Sequence, residues 1–223
     1  MKIALCQINP IIGDIEGNKK KILNGYKKAQ IDKVDIAIFP ELSICGYPPQ
    51  DLIEKREFRE AVNLAALELS HQTNNVALLF GSITEKEERV GTGIYNSALL
   101  AYEGKIQFIQ NKTLLPNYDV FDEVRYFESA EKVFIHEFKG EKLGISICED
   151  IWNDDDYWKR RRYSRDPIKS LIDQGTTLLL NISASPYAYG RRKERHDMLS
   201  YLTKTERIPL AYVCCTGAQT DLI

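Results

Sequence analysis

Asn96-Ser97-Ala98-Leu99-Leu100-Ala101-Tyr102-Glu103-Gly104-Lys105-Ile106-Gln107-Phe108-Ile109-Gln110-Asn111 reads as two strands folded back on one another. Tyr102-Glu103-Gly104-Lys105 supplies the hairpin turn, since a Gly at the second central position accepts the positive φ such turns demand. Outward from this pair the pattern changes. Short β-branched apolar runs predict further strands over residues 2–7, 36–39, 76–81, 133–138, 143–148, 177–182 and 210–214, with the hairpin strands at 96–102 and 106–111. Longer amphipathic stretches predict helices over 18–29, 57–73, 167–174 and 191–206. In the second helix Phe58, Val62, Leu64, Ala65, Leu67 and Leu69 are expected to form the apolar face. Strand–helix alternation with a hairpin in the middle predicts an α/β layered fold with mixed rather than purely parallel sheets.

The 223 residues suffice for one domain with a substantial core, and neither repeats nor a linker divide residues 1–223. The chain is expected to be C-terminally truncated, because the last strand ends about nine residues before Ile223 and no closing turn follows. A net charge of −2 offers no basic field for nucleic acid or anionic lipid, so neither is expected as a partner. The local exception, Lys159-Arg160-Arg161-Arg162, follows Asp154-Asp155-Asp156 and reads as a solvated, charge-mixed loop. Residues 1–18 do not form a signal peptide, since their apolar stretch is short and broken by Gln7, Asn9 and Pro10. No apolar run reaches the roughly 20 residues that span a bilayer. Five cysteines at irregular spacing (Cys6, Cys45, Cys148, Cys214, Cys215) point to reduced thiols in a cytoplasmic protein. No metal is expected: C-x-x-C and H-E-x-x-H are missing, and His71, His136 and His196 stand far apart.

Three predicted strand ends carry reactive groups. Ile36-Ala37-Ile38-Phe39-Pro40-Glu41 runs into a carboxylate, Phe108-Ile109-Gln110-Asn111-Lys112 into a cation, and Gly144-Ile145-Ser146-Ile147-Cys148-Glu149-Asp150 into a thiol beside two acids. Each alone has a plainer reading: Cys as a small core hydrophobe, Glu as a loop carboxylate or cap, Lys as a solvated end. Together they are the parts needed to attack an unactivated carboxamide. A free thiol is only a few per cent thiolate at neutral pH, so a carboxylate must take its proton. The developing oxyanion needs a positive charge or donor, and the same carboxylate can then protonate the leaving amine. Other nucleophilic sets fail on inventory, for there is no G-x-S-x-G and no His beside a nucleophile. Nor does Gly91-Thr92-Gly93 form a phosphate loop.

Phe39-Pro40-Glu41-Leu42, Lys112-Thr113-Leu114-Leu115-Pro116 and Ile147-Cys148-Glu149-Asp150-Ile151-Trp152 resemble the three signature blocks of the nitrilase superfamily, the carbon–nitrogen hydrolases. The blocks starting at Cys45 (Cys45-Gly46-Tyr47-Pro48-Pro49-Gln50-Asp51-Leu52), at Asn117 (Asn117-Tyr118-Asp119-Val120-Phe121-Asp122-Glu123-Val124-Arg125-Tyr126-Phe127) and at Ser183 (Ser183-Ala184-Ser185-Pro186-Tyr187) are similar to the glutaminase domain of glutamine-dependent NAD synthetases. The resemblance implies a four-layer α-β-β-α sandwich. It implies Glu41 as general base and later acid, Lys112 as stabiliser of the tetrahedral intermediate, Cys148 as the nucleophile forming a γ-glutamyl thioester, and Glu123 as a second carboxylate positioning the amide. Tyr118, Glu149, Trp152, Ser185 and Arg191 would line the pocket for L-glutamine: guanidinium for the α-carboxylate, acid for the α-ammonium, aromatic ring for the methylenes.

The same resemblance implies a homo-oligomer, no cofactor in this domain, and ammonia delivery to a synthetase domain that uses ATP and Mg to amidate deamido-NAD. That synthetase domain is absent from these residues. Two departures stand out: Asp119 where the family often has Gly, tolerable because Asp enters positive φ more readily than most residues, and Cys214 where an Asn is usual. A stand-alone amidase or carbamoylase of the superfamily, and a non-catalytic fragment, are the alternative readings.

Overall fold

The computed structural model describes residues 1–86, 90–154 and 156–219. Asp155 of the acidic run and residues 220–223 at the chain end lie outside the described residues. Among the described residues nine strands and four α-helices follow in the order β1 (Ile3–Leu5), α1 (Ile15–Ile31), β2 (Ile36–Ile38), α2 (Arg56–His71), β3 (Ala77–Glu85), β4 (Ile94–Tyr102), β5 (Lys105–Asn111), β6 (Ile135–Phe138), β7 (Glu141–Ile147), α3 (Pro167–Asp173), β8 (Leu178–Ser183), α4 (Arg191–Glu206) and β9 (Leu210–Cys214). Short 3-10 turns intervene at Gln50–Glu54, Glu123–Arg125 and Cys148–Ile151. One sheet runs β1-β2-β3-β4-β5 and the other β6-β7-β8-β9. Both are mixed. In the first, β1, β2 and β3 are parallel and the β3-β4-β5 pairs antiparallel; in the second only β6 and β7 pair antiparallel. The hairpin closes with Tyr102 opposite Lys105 and positive φ at Glu103 and Gly104.

Alternation along the strands sorts the core into layers. Ala37, Phe39, Leu78 and Phe80 pack with Ile22 and Tyr26 of α1 and with Val62 and Leu69 of α2. Their neighbours Ile36, Ile38, Ala77 and Leu79 face the second sheet, meeting Leu143, Ile145, Ile147, Leu178, Leu180 and Ile182. Leu179 points the other way, onto Ile168 and Leu171 of α3 and Met198 and Leu202 of α4. The result is helices, sheet, sheet, helices: the expected four-layer sandwich. Strands buried on both faces explain why their sequences read as continuous apolar runs, each buried Leu or Ile contributing about 1.5–3 kcal/mol.

Three local expectations are corrected. Leu64 and Leu67 of α2 are exposed, because at 100° per residue they fall outside the Val62, Ala65, Ala66, Leu69 stripe. β3 does not stop at Gly81 but continues to Glu85, paired through Ser82–Ser97 and Thr84–Tyr95. Gly81 is a close-approach site: a Cβ there would lie 2.6 Å from the Glu41 carbonyl carbon and nearer still to the Leu42 nitrogen. The strand before the thiol ends at Ile147, and Cys148 instead opens a 3-10 turn with φ of +43°.

Candidate active site

The residues after β2 and β5 meet beneath the sandwich edge. Pro40 lacks an N–H and carries the chain off the first sheet, leaving Glu41 facing inward. Lys112 follows β5, its N–H still bonded to the Asn96 carbonyl at 2.8 Å. The Lys112 ammonium donates to Glu41 Oε1 and to Glu123 Oε1, both at 2.7 Å. All three side chains are out of solvent, with relative exposures of 0% for Lys112, 1% for Glu41 and 4% for Glu123. Glu41 also accepts from Asn96 Nδ2 at 2.7 Å and from the Ala184 N–H at 2.9 Å, while Tyr47 donates its hydroxyl to Glu123 Oε1 at 2.7 Å.

Burial alone would strip the proton from Lys112, but Glu123 and Glu41 outweigh it and hold its pKa well above the usual range. Burial pushes the Glu123 carboxyl up to about 7 against the pull of Lys112. Burial and the charge of Glu41 drive the Cys148 thiol far above its ordinary value, with Lys112 opposing. The surroundings of Cys148 thus favour the neutral thiol over the thiolate.

Cys148 sits at a strained backbone position, since a residue with a Cβ is costly at positive φ. The buried Asp150 carboxylate holds that turn in place. It accepts from the Thr113 N–H (3.0 Å), the Thr113 hydroxyl (2.6 Å), the Leu114 N–H (2.8 Å) and the Ile147 N–H (3.1 Å). One side chain thus ties the segment after Lys112 to the residue before Cys148. Burial raises Asp150 to about 6 although four donors favour its charged form.

A cavity of about 340 Å³ has Cys148 in its wall together with Tyr118, Glu149, Trp152, Ser185 and Arg191. All five residues expected to line a pocket are gathered there. Glu149 accepts the Tyr118 hydroxyl at 2.8 and 2.9 Å and the Tyr163 hydroxyl at 3.1 Å. Arg191 donates to Glu194 at 2.9 Å and lies 5.5 Å from the Trp152 ring centre. Ser185 accepts from Arg195 at 3.0 Å. Asp119 has φ of +56°, the conformation anticipated for it in place of Gly.

A second cavity of about 670 Å³ shares Tyr118, Glu149, Trp152 and Arg191 and adds Arg160, Arg161, Arg162, Trp158 and Tyr163. The basic run is thus not only a solvated loop: it borders the candidate site, and Arg162 lies 3.7 Å over the Tyr118 ring.

Asn96, Ala184, Gly81, Tyr163 and the anchoring role of Asp150 escaped the reading from sequence. Asn96 left a signal, as a polar residue opening the otherwise apolar Ala98-Leu99-Leu100 run. Among the described residues no group of three or more His, Cys, Asp or Glu could hold a metal ion, and no helix is long and apolar enough to cross a membrane.

Comparison with known proteins agrees with this layout. The chain is 42% identical to a glutamine-dependent NAD(+) synthetase of Synechocystis sp., over 99% of this chain and 40% of that protein. It is 35% identical to the one from Thermotoga maritima, over 100% of this chain and 37% of that protein. The solved structure of glutamine-dependent NAD+ synthetase from Acinetobacter baumannii, in complex with ADP, superposes with a TM-score of 0.89 at 34% identity, covering 100% of this chain and 39% of that one. An amidase of the nitrilase superfamily from Nesterenkonia shares the fold, with a TM-score of 0.84 at 19% identity over 100% of this chain and 79% of that one. The chain spans about two fifths of the length of the curated relatives it matches. The carbon–nitrogen hydrolase profile fits residues 2–221, nearly the whole sandwich and every residue of the buried cluster, and the chain belongs to that family.

Proposed function

We propose that this chain hydrolyses the side-chain amide of L-glutamine, with Cys148 as nucleophile, Glu41 as general base and then acid, and Lys112 opposite the developing oxyanion. One observation carries the reading: an ammonium held at 2.7 Å between Glu41 and Glu123, in a dry cluster whose charges bear directly on the Cys148 thiol. Because the surroundings of that thiol favour its neutral form, attack requires a base in place, and Glu41 takes the Sγ proton as the C–S bond forms. Two Lys112 hydrogens engage Glu41 and Glu123, leaving the third for the tetrahedral oxyanion. Glu41 returns its proton to the departing nitrogen, ammonia leaves, and a γ-glutamyl thioester remains. Water, deprotonated by Glu41, then releases glutamate and restores the thiol. Glu123 fixes Lys112 and helps position the amide.

Glutamine is the substrate of choice because relatives that match along nearly all of this chain are named glutamine-dependent NAD(+) synthetases. Glu149 suits its α-ammonium, Arg191 its α-carboxylate, and Tyr118 and Trp152 its methylenes, with Ser185 closing the pocket. The ammonia would serve a synthetase domain amidating deamido-NAD with ATP and magnesium, in a cytoplasmic homo-oligomer; the part of the relatives that this chain does not span leaves room for such a domain. Cys148→Ala should abolish ammonia release from L-glutamine. Undiminished release from the folded variant would refute the assignment, and release from aliphatic amides but never from glutamine would favour a stand-alone amidase.

A further inference from the structure

Tyr163 belongs to no motif, yet its hydroxyl reaches the carboxylate that follows the nucleophile. It arrives there because of Asn153. That side chain is buried, donates to the Tyr163 and Arg165 carbonyls at 3.0 and 2.6 Å, and accepts the Tyr163 N–H at 3.3 Å. The loop after the 3-10 turn is thereby pinned back on its own start, and Tyr163 and Arg162 are delivered to the rim. Tyr163 donates to Glu149 Oε1 at 3.1 Å, and Arg162 lies over the ring of Tyr118, the other hydroxyl bound to Glu149. The carboxylate is held on two sides by neutral donors. Neutral donors fix its orientation without cancelling its charge, as the guanidinium of Arg191 would had it paired with Glu149 rather than Glu194.

We infer that Tyr163 is a specificity-determining residue: with Tyr118 it aims the intact charge of Glu149 at a cationic group, so that the site selects amides bearing a free α-ammonium over the same amides with that nitrogen blocked. This rests on the glutaminase reading and adds to it a residue and a rule of selection. Burial, and after it the charge of Glu149, pushes both tyrosine hydroxyls above their ordinary pKa and keeps them as donors.

The test compares L-glutamine with N-acetyl-L-glutamine, which keeps the side-chain amide and loses the positive charge. Ammonia release is measured for the unaltered protein and for Tyr163→Phe, which deletes one hydrogen bond to a charged group and little else. The kcat/KM ratio of glutamine over its N-acetyl form should fall about tenfold in Tyr163→Phe, through KM rather than kcat. Calorimetric binding of both compounds in a Cys148→Ala background should repeat the change without turnover. An equal fall for both compounds, or a fall confined to kcat, would overturn the inference while leaving the glutaminase reading intact. If the unaltered protein releases no ammonia from glutamine, both fail together. Asn153→Ala, which unpins the loop, should reproduce the lost discrimination; an unchanged ratio there would overturn the delivery of Tyr163 by Asn153.

Discussion

The floor of the site and its rim are built on opposite principles. On the floor, Glu41, Lys112 and Glu123 are dry and bonded to one another at 2.7 Å, and each descends from a strand or from a turn locked onto one. On the rim, Tyr118, Trp152, Arg162, Tyr163 and Arg191 stand on loops or a helix start, half-open to solvent, around two adjoining cavities. A dry ion cluster tolerates no missing member, since each charge is stable only through the others. A solvated rim loses single contacts cheaply, because water replaces them. On the proposed reading, the floor performs the chemistry and the rim chooses what enters.

The strongest test of that contrast removes the central cation. Lys112→Met leaves Glu41 and Glu123 buried without their partner and should cost about 3–5 kcal/mol of stability in denaturant titrations, with ammonia release reduced to background. The loss carries a pH signature. Glu123 rises from 4.5 to about 7 on folding, so its contribution to stability is fully present below the unfolded value and lost as pH climbs through the folded one. Without Lys112 its pKa rises further, so the deficit should be small near pH 5 and grow as pH climbs through 7. A deficit independent of pH would show that the floor is not a coupled charge cluster.

Glu41→Gln should split two readouts that a preformed thiolate would move together. Ammonia release should fall by about 10²–10⁴-fold as the base is lost. Burial and then the negative charge of Glu41 raise the Cys148 pKa, so removing that charge should also lower the pH midpoint of its alkylation. An unchanged midpoint would place Glu41 outside the electrostatic reach of the thiol. The smallest effect belongs to the rim. Asp119→Gly relieves a positive φ but loosens the unfolded chain, and should leave thermal stability within about 1 kcal/mol of the original. A larger loss would mean that the Asp119 side chain, rather than its backbone, shapes the loop.

Much of the fold was legible because its strands are short apolar runs bounded by turn residues, and its hairpin carries Glu103-Gly104 at the tip. The errors were local. Leu64 and Leu67 are apolar but point to solvent, since composition does not settle which stripe of a helix meets the sheet. Gly81 read as a strand end because Gly usually interrupts a strand; here it is what lets the Glu41–Leu42 backbone approach β3. Tyr163 left no trace in the pattern, because a tyrosine in an arginine-rich loop gives no periodicity and no motif. The basic run is exposed, as its charge mix suggests, but its place beside the cavity left no trace for the same reason.

By itself the sequence determined the order of strands and helices, the two-sided burial of the inner strands, and the presence of an acid, a cation and a thiol at three strand ends. These follow from periodicity and from where prolines, glycines and polar residues interrupt it, all of which are local. Only the tertiary structure decided that Lys112 lies between two carboxylates, that Asp150 binds the Lys112 segment to the Cys148 turn, and that Tyr163 reaches Glu149. Those contacts join residues brought together by sheet stacking and loop return, and the free energy of a buried charge depends on such neighbours rather than on its own identity.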